Sequence, residues 1–182
     1  MTRSVRAVFL DRDGVLNALV RRNGRPVSPR VPGDFRLFDD AYEALRALRS
    51  SGFRIFVVTN QPDIARGHLD SADLHEMLAI VRRELEVDDI AFCPHDDSDD
   101  CACRKPAPGM LLDLARRWNV DLRRSFMIGD SWRDVEAGRR AGCRTILIVR
   151  DGVESRDEPT LTAPDARFAS LSGAVGYIHA SE

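Results

Sequence analysis

Two aspartates two residues apart, Asp11 and Asp13, follow the apolar run Val8-Phe9-Leu10 and precede Gly14. If that run is a buried strand, Asp11 sits where the chain leaves the sheet. In an open α/β sheet, ligands bind outside the carboxyl ends of the strands. Two carboxylates at such a place need a partner for their charge: they bind a cation, act as acid/base or nucleophile, or do both. Further polar groups stand at comparable places. Thr59 and Asn60 close the run that begins at Phe53, Gly129-Asp130 follows Phe126-Met127-Ile128 with Asp134 four residues on, and Arg104-Lys105-Pro106 lies just before a helical segment. If these strands are neighbours, several carboxylates, a hydroxyl, an amide and a lysine converge.

Phosphoryl transfer suits that set. Mg²⁺ takes one or two carboxylates together with phosphate and water, and Asp11 and Asp130 can supply them. Lys105, Thr59 and backbone amides can neutralise phosphate oxygens. A carboxylate can attack phosphorus and form an aspartyl-phosphate. A second carboxylic acid can protonate the leaving oxygen and later deprotonate water.

A separate cluster, Cys93, His95, Cys101 and Cys103, makes a Cys₃His set, the donor set of a closed structural zinc site. The loop of about residues 92 to 104 is otherwise acidic, with Asp96, Asp97, Asp99 and Asp100, so zinc binding there would act as folding energy. Cys103 directly precedes Arg104-Lys105, so zinc would hold the lysine while standing outside the chemistry. Cys143, far off in sequence at a helix end, reads as a buried core cysteine.

These groups must be positioned by alternating elements. Strands are expected at Arg6 to Leu10, Phe53 to Val58, Asp88 to Phe92, Ser125 to Ile128 and Arg144 to Val149, each short and apolar. A helix capped by Asp39 or Asp40 runs to about Ser51 with Ala41, Ala44, Leu45 and Leu48 on one face, and Gly52 ends it. Ser71 caps a second, with Leu74, Met77, Leu78, Val81 and Leu85 aligned. A third opens near Pro108 and carries Leu111, Leu114, Ala115 and Trp118. A fourth runs from Trp132 to Ala141, stopped by Gly142. Residues 18 to 38 read as irregular and basic, with Arg21, Arg22, Arg25 and Arg30, either a solvated loop or a substrate loop meeting an anion. Residues 151 to 164 read as a surface loop, and Ala166 to Ala169 and Ser172 to Ile178 as a short strand and a short helix. The order predicts an α/β fold, a three-layer Rossmann-like parallel sheet with helices on both faces and no large cap domain.

The chain has 182 residues, 43% hydrophobic and 31% charged, with net charge -2. One domain over 1 to 182 fits that length. The charge points to neither nucleic acid nor a membrane surface, and no segment is long and apolar enough to span a bilayer. The first residues lead directly into a strand without a signal-peptide core, so a cytoplasmic monomer is expected, in which clustered cysteines favour metal over disulfide.

Asp11-Arg12-Asp13-Gly14, Thr59-Asn60-Gln61, Lys105 and Gly129-Asp130 with Asp134, in this order, resemble the haloacid dehalogenase superfamily of phosphatases. The resemblance implies Asp11 as nucleophile and Asp13 as general acid/base. It implies Thr59 and Lys105 as phosphate clamp, and Mg²⁺ held by Asp11, Asp130 and the backbone carbonyl of Asp13. Asp134 would support the lysine or a metal-bound water. Cys-x-His followed by Cys-x-Cys-Arg-Lys-Pro is similar to the zinc-bearing branch that includes the heptose bisphosphate and histidinol-phosphate phosphatases. Asn60 to Gly67 and Arg104 to Met110 look more like the heptose enzymes, which implies removal of the 7-phosphate from heptose 1,7-bisphosphate, with Asn60, Arg66, Arg104 and Lys105 on substrate and Arg22 or Arg25 as further anion binders. Pro62-Asp63 stand where those enzymes carry Ser-Gly, Ser131 stands where they carry lysine, and the 18–38 loop is unlike theirs. Histidinol phosphate or another small phosphometabolite is the alternative substrate. From a different class, a receiver-type phospho-accepting domain shares the acids and the lysine. It should bear its phosphorylated aspartate apart from the other acids, and has no use for a zinc loop.

Overall fold

The computed structural model describes residues 4–150 and 163–181. Most of the expected 151–164 loop lies outside these residues. Six parallel strands form one sheet: β1 (Arg6–Leu10), β4 (Phe53–Asn60), β5 (Asp89–Cys93), β6 (Phe126–Gly129), β7 (Arg144–Ile148) and β8 (Ala166–Phe168), in the order β5-β4-β1-β6-β7-β8. β1 is flanked by β4, with Leu10 opposite Val57, and by β6, with Leu10 opposite Ile128. The strand ends that carry the polar groups are therefore neighbours.

Side chains alternate across a strand, so each strand feeds two cores. Val8, Leu10, Ile55, Val57 and Ile128 pack beneath α1 (Asp39–Ser50), α2 (Ser71–Leu85) and α5 (Leu171–Ala180). Ala7, Phe9, Phe56, Val58 and Met127 pack beneath α3 (Gly109–Trp118) and α4 (Trp132–Ala141), together with Cys143. Burial pushes the Cys143 thiol up to about 12, as suits an inert core position.

Three local expectations differ from the structure. Residues 18–38 contain a hairpin, β2 (Val20–Arg22) paired antiparallel with β3 (Arg25–Val27). Asn23 and Gly24 turn it, both at positive φ, which is the turn chemistry that Asn-Gly favours between two strands. The first residue outside α1 is Phe38, not Asp39 or Asp40. Asp40 instead accepts hydrogen bonds from Arg150 at 3.0 Å and from the Leu171 amide at 3.0 Å, which ties α1 to the start of α5. The cap position of α2 is Asp70, with Ser71 the first helical residue.

Candidate active site

Asp11 leaves the central strand β1 and is 9% exposed. Its Oδ1 accepts from the Arg12 amide at 2.8 Å and faces Lys105 Nζ at 2.9 Å. Lys105 is buried, and its ammonium also reaches Asp134 Oδ1 at 2.6 Å and donates to the Val58 carbonyl at 2.7 Å. Burial disfavours the Lys105 charge, but the two carboxylates outweigh it and the pKa is raised. Burial pushes Asp11 up to about 6. Asp134 and Asp13 add to that, and Lys105 opposes it. Asp134, in the first turn of α4, also accepts from the Ser131 amide and hydroxyl at 3.1 and 2.7 Å.

Asp13 lies in a different environment. Arg12, fully buried, forks onto both its oxygens at 3.0 and 2.9 Å. Asn17 donates to it at 2.9 Å and Gln61 at 2.8 Å. Burial alone would raise its pKa, but the Arg12 guanidinium and these donors lower it below the usual carboxylate range. The two aspartates of one motif are thus driven in opposite directions by their partners, the arrangement that separates roles between two carboxylates.

Carboxylate oxygens of Asp11, Asp130 and Asp134 lie within 4.8 Å of one another. An all-oxygen donor set of this kind fits a hard divalent cation. Gly14, at φ +85°, lets the Asp130 carboxylate come close, since a Cβ there would fall 2.1 Å from Asp130 Oδ2. The grouping brings Asp134 to the metal cluster as well as to the lysine; the Asp13 side chain is turned to Arg12, Asn17 and Gln61.

Thr59 is buried at the end of β4, and its hydroxyl accepts from Gln61 Nε2 at 2.8 Å. It does not itself line the cleft over Asp11 among the described residues. Asn60 does, and its amide grips the Lys105 backbone from both sides, donating to the carbonyl at 2.9 Å and accepting from the N–H at 3.0 Å. Arg66 and Arg104 also line the cleft, but both are engaged by the acidic loop. Arg66 forks onto Asp96, pulling that carboxylate down to about 2. Arg104 donates to Asp97 at 2.8 Å and to the His95 carbonyl at 3.1 Å. Arg22 pairs with Asp34 at 3.1 Å. The cleft, about 230 Å³, is completed by Val27 at the end of β3 and by Ser28 and Arg30 after it, by Pro62 and Asp63, and by Ser131 and Arg133.

Cys93, Cys101 and Cys103 place their sulfurs 3.1–3.5 Å apart, and His95 Nδ1 lies 3.5 and 3.3 Å from Cys93 and Cys103. Four donors at zinc-bond lengths around a tetrahedral centre stand about 3.5–3.8 Å apart. The cluster therefore fits zinc after a small outward adjustment.

Arg12, Asn17, Gln61, Arg30, Asp63 and Arg133 are the site residues that motif spacing did not single out for a role. Arg12 and Gln61 sit inside quoted motifs, and a buried pair of acids calls for such partners.

The profile of the haloacid dehalogenase-like hydrolases matches residues 30–142. The D-glycero-beta-D-manno-heptose-1,7-bisphosphate 7-phosphatase of Rhodopseudomonas palustris is 42% identical over 148 residues, covering 75% of this chain and 79% of its own. The enzyme of that name from Escherichia coli is 35% identical, covering 84% and 83%. A crystal structure of the Bordetella bronchiseptica D,D-heptose 1,7-bisphosphate phosphatase, complexed with magnesium and phosphate, superposes with TM-score 0.84 at 31% identity, covering 97% of this chain and 99% of that one. Among the described residues no helix is long and apolar enough to cross a membrane. The carboxylate pair at the end of β1, the lysine beside it and these relatives agree: the chain belongs to the haloacid dehalogenase-like hydrolase family and is a phosphatase.

Proposed function

We propose that this phosphatase removes one phosphate from a sugar bisphosphate, heptose 1,7-bisphosphate at its 7-phosphate, through an aspartyl-phosphate on Asp11. The observation that carries the reading is the placement of Asp11. It stands at the end of the central strand, between the Lys105 ammonium at 2.9 Å and the carboxylates of Asp130 and Asp134. The names of the relatives and the magnesium and phosphate in the Bordetella structure support the substrate and the metal.

Asp11, Asp130 and Asp134 would hold Mg²⁺, with the Asp13 backbone carbonyl as a further ligand. The ion would supply charge neutralisation for the phosphate oxygens. Both polar contacts of Asp11 fall on Oδ1, which leaves Oδ2 to attack phosphorus. The bond from phosphorus to the sugar oxygen breaks as the new bond forms, and that oxygen takes a proton from Asp13. Lys105 neutralises charge on the transferring group. In the second half-reaction Asp13 takes a proton from water as the water oxygen attacks phosphorus, and Asp11 is released. The Arg12 fork holds Asp13 toward the charged form, which favours this second step; the proton it takes from water there is the one it gives to the sugar oxygen in the next turnover. Thr59 acts through Gln61, which it holds against Asp13. Zinc on Cys93, His95, Cys101 and Cys103 would be structural.

A phosphate-release panel with Mg²⁺ tests the reading. Both anomers of heptose 1,7-bisphosphate are set against histidinol phosphate and common hexose phosphates. The heptose bisphosphate is expected to be hydrolysed fastest, losing only its 7-phosphate. Faster turnover of histidinol phosphate or of a hexose monophosphate refutes the substrate assignment.

A further inference from the structure

The cleft has two electrostatic zones. Its floor carries Asp11, Asp13, Asp130 and Asp134 around Lys105. Its wall carries Arg30, Arg66, Arg104 and Arg133 with Asp63 as the acid. The floor suits a cation. The wall suits an anion other than the phosphate being transferred, because guanidinium forks match phosphate oxygens. Three of the four wall arginines are already engaged. Arg30 holds Asp63 at 2.6 Å, Arg66 forks onto Asp96, and Arg104 holds Asp97. A ligand anion that recruits one of them must share it with a carboxylate.

Arg133 differs. It lies half-buried in the first turn of α4, three residues from Asp130. Its guanidinium carbon is 5.0 Å from the centroid of the Trp132 ring. Among the described residues it makes no ion pair within 4 Å, although its charge acts on Asp97 from further off. A cation resting over an aromatic ring is held without using up its N–H donors, which stay available to an acceptor. The contact limits where the side chain goes, so less ordering entropy is lost when an anion binds. Arg133 and Asp11 line the same cleft of about 230 Å³, so an anion at the first and a phosphoryl group at the second can belong to one small molecule.

We infer that Arg133 binds the second phosphate of the substrate, the one that is retained, and sets the preference for bisphosphates over monophosphates. This rests on the sugar-bisphosphate reading of the site. The test is steady-state kinetics of the Mg²⁺-loaded, zinc-replete enzyme on heptose 1,7-bisphosphate and on heptose 7-phosphate. The forms compared are wild type, Arg133→Gln and Arg133→Lys. Losing a hydrogen bond to a charged group should raise KM for the bisphosphate about tenfold or more in Arg133→Gln. Its kcat should stay within about twofold, KM for the monophosphate should not move, and Arg133→Lys should recover part of the loss. If Arg133→Gln does not fold, the lysine variant carries the comparison, with an intermediate rise in KM expected for the bisphosphate alone. An unchanged preference in either variant, or an equal rise in KM for both substrates, overturns the assignment of Arg133 alone. Equal kcat/KM for the two substrates in the wild type overturns the bisphosphate reading and this inference with it.

Discussion

Replacing Asp11 by asparagine should stabilise the Mg²⁺-free protein while abolishing phosphate release. Burial raises the Asp11 carboxyl from 3.8 to about 6, with Asp134 and Asp13 adding to the rise and Lys105 limiting it. A folded-state pKa above the unfolded one means the contribution to stability is fully present below about pH 4 and is lost as pH rises through 6. At about 1.4 kcal/mol per pH unit, the loss reaches about 3 kcal/mol above pH 7. Asparagine has the shape of the neutral acid and never ionises, so the variant escapes that cost. Its advantage should be about 3 kcal/mol at pH 8 and about half of that at pH 5. For a chain of this length, the pH 8 figure corresponds to about 6–12 °C in Tm. Urea and thermal denaturation at the two pH values, in Mg²⁺-free buffer with zinc retained, measure the difference. Saturating Mg²⁺ should narrow it, because metal binding stabilises the ionised wild type. An asparagine variant no more stable than wild type at pH 8, or an advantage that does not grow from pH 5 to pH 8, refutes the electrostatic argument. Near-normal turnover in the variant refutes Asp11 as nucleophile.

Lys105→Met should cost about 3–5 kcal/mol in urea denaturation at pH 7.5, because it leaves two buried carboxylates facing each other without their cation; phosphate release should be lost as well. Protein purified without chelators should carry close to one zinc per chain by elemental analysis, and Cys101→Ser should lower both that stoichiometry and Tm.

Much of the site was legible in the sequence because its parts obey strong local rules. Apolar runs ending in polar residues marked Leu10, Asn60 and Gly129 as strand exits, and the sheet brings those exits side by side. The Cys₃His spacing marked a metal cluster, and its four donor atoms lie within one small shell. The hairpin is harder to see in the sequence, although Asn23-Gly24 is its turn signal. Arginine and proline in the flanking strands hide the alternation that normally marks a half-buried strand. The partners of Asp13 are equally hidden. Arginine, asparagine and glutamine are surface types by default. Arg12, Asn17 and Gln61 are buried only because a carboxylate already in the core must be neutralised and hydrogen-bonded. That pairing depends on residues 48 positions apart in the case of Gln61 and Asp13, which no local pattern encodes. Arg66 and Arg104 both line the cleft, and their pairing with Asp96 and Asp97, 30 and seven positions away, is likewise beyond any local pattern.

Those last pairs change what the cysteine loop does. Its place in the sequence suggests that it holds Lys105, which follows Cys103 after one residue. The structure gives it a second attachment, to the turn after β4. The Gln61 amide donates to the Cys93 carbonyl at 2.7 Å, the Ala65 amide to the Pro94 carbonyl at 3.3 Å, and Arg66 to Asp96. The loop also seats α3, since a Cβ on Gly109 would fall 2.1 Å from the Ala102 carbonyl oxygen. One metal-bound loop would therefore fix both the lysine that faces Asp11 and the glutamine that grips Asp13. Neither Lys105 nor Gln61 is held by a regular element, since Gln61 lies just past β4 and Lys105 in the turn before α3. A site whose two aspartates are driven in opposite directions needs both partners at fixed distances, since Coulomb interactions in a buried site are weakly screened and change steeply with separation. If the four donors hold zinc and the proposed roles stand, loss of the metal should disturb proton transfer at Asp13 as well as phosphate binding at Lys105, although among the described residues none of the four donors hydrogen-bonds to either aspartate.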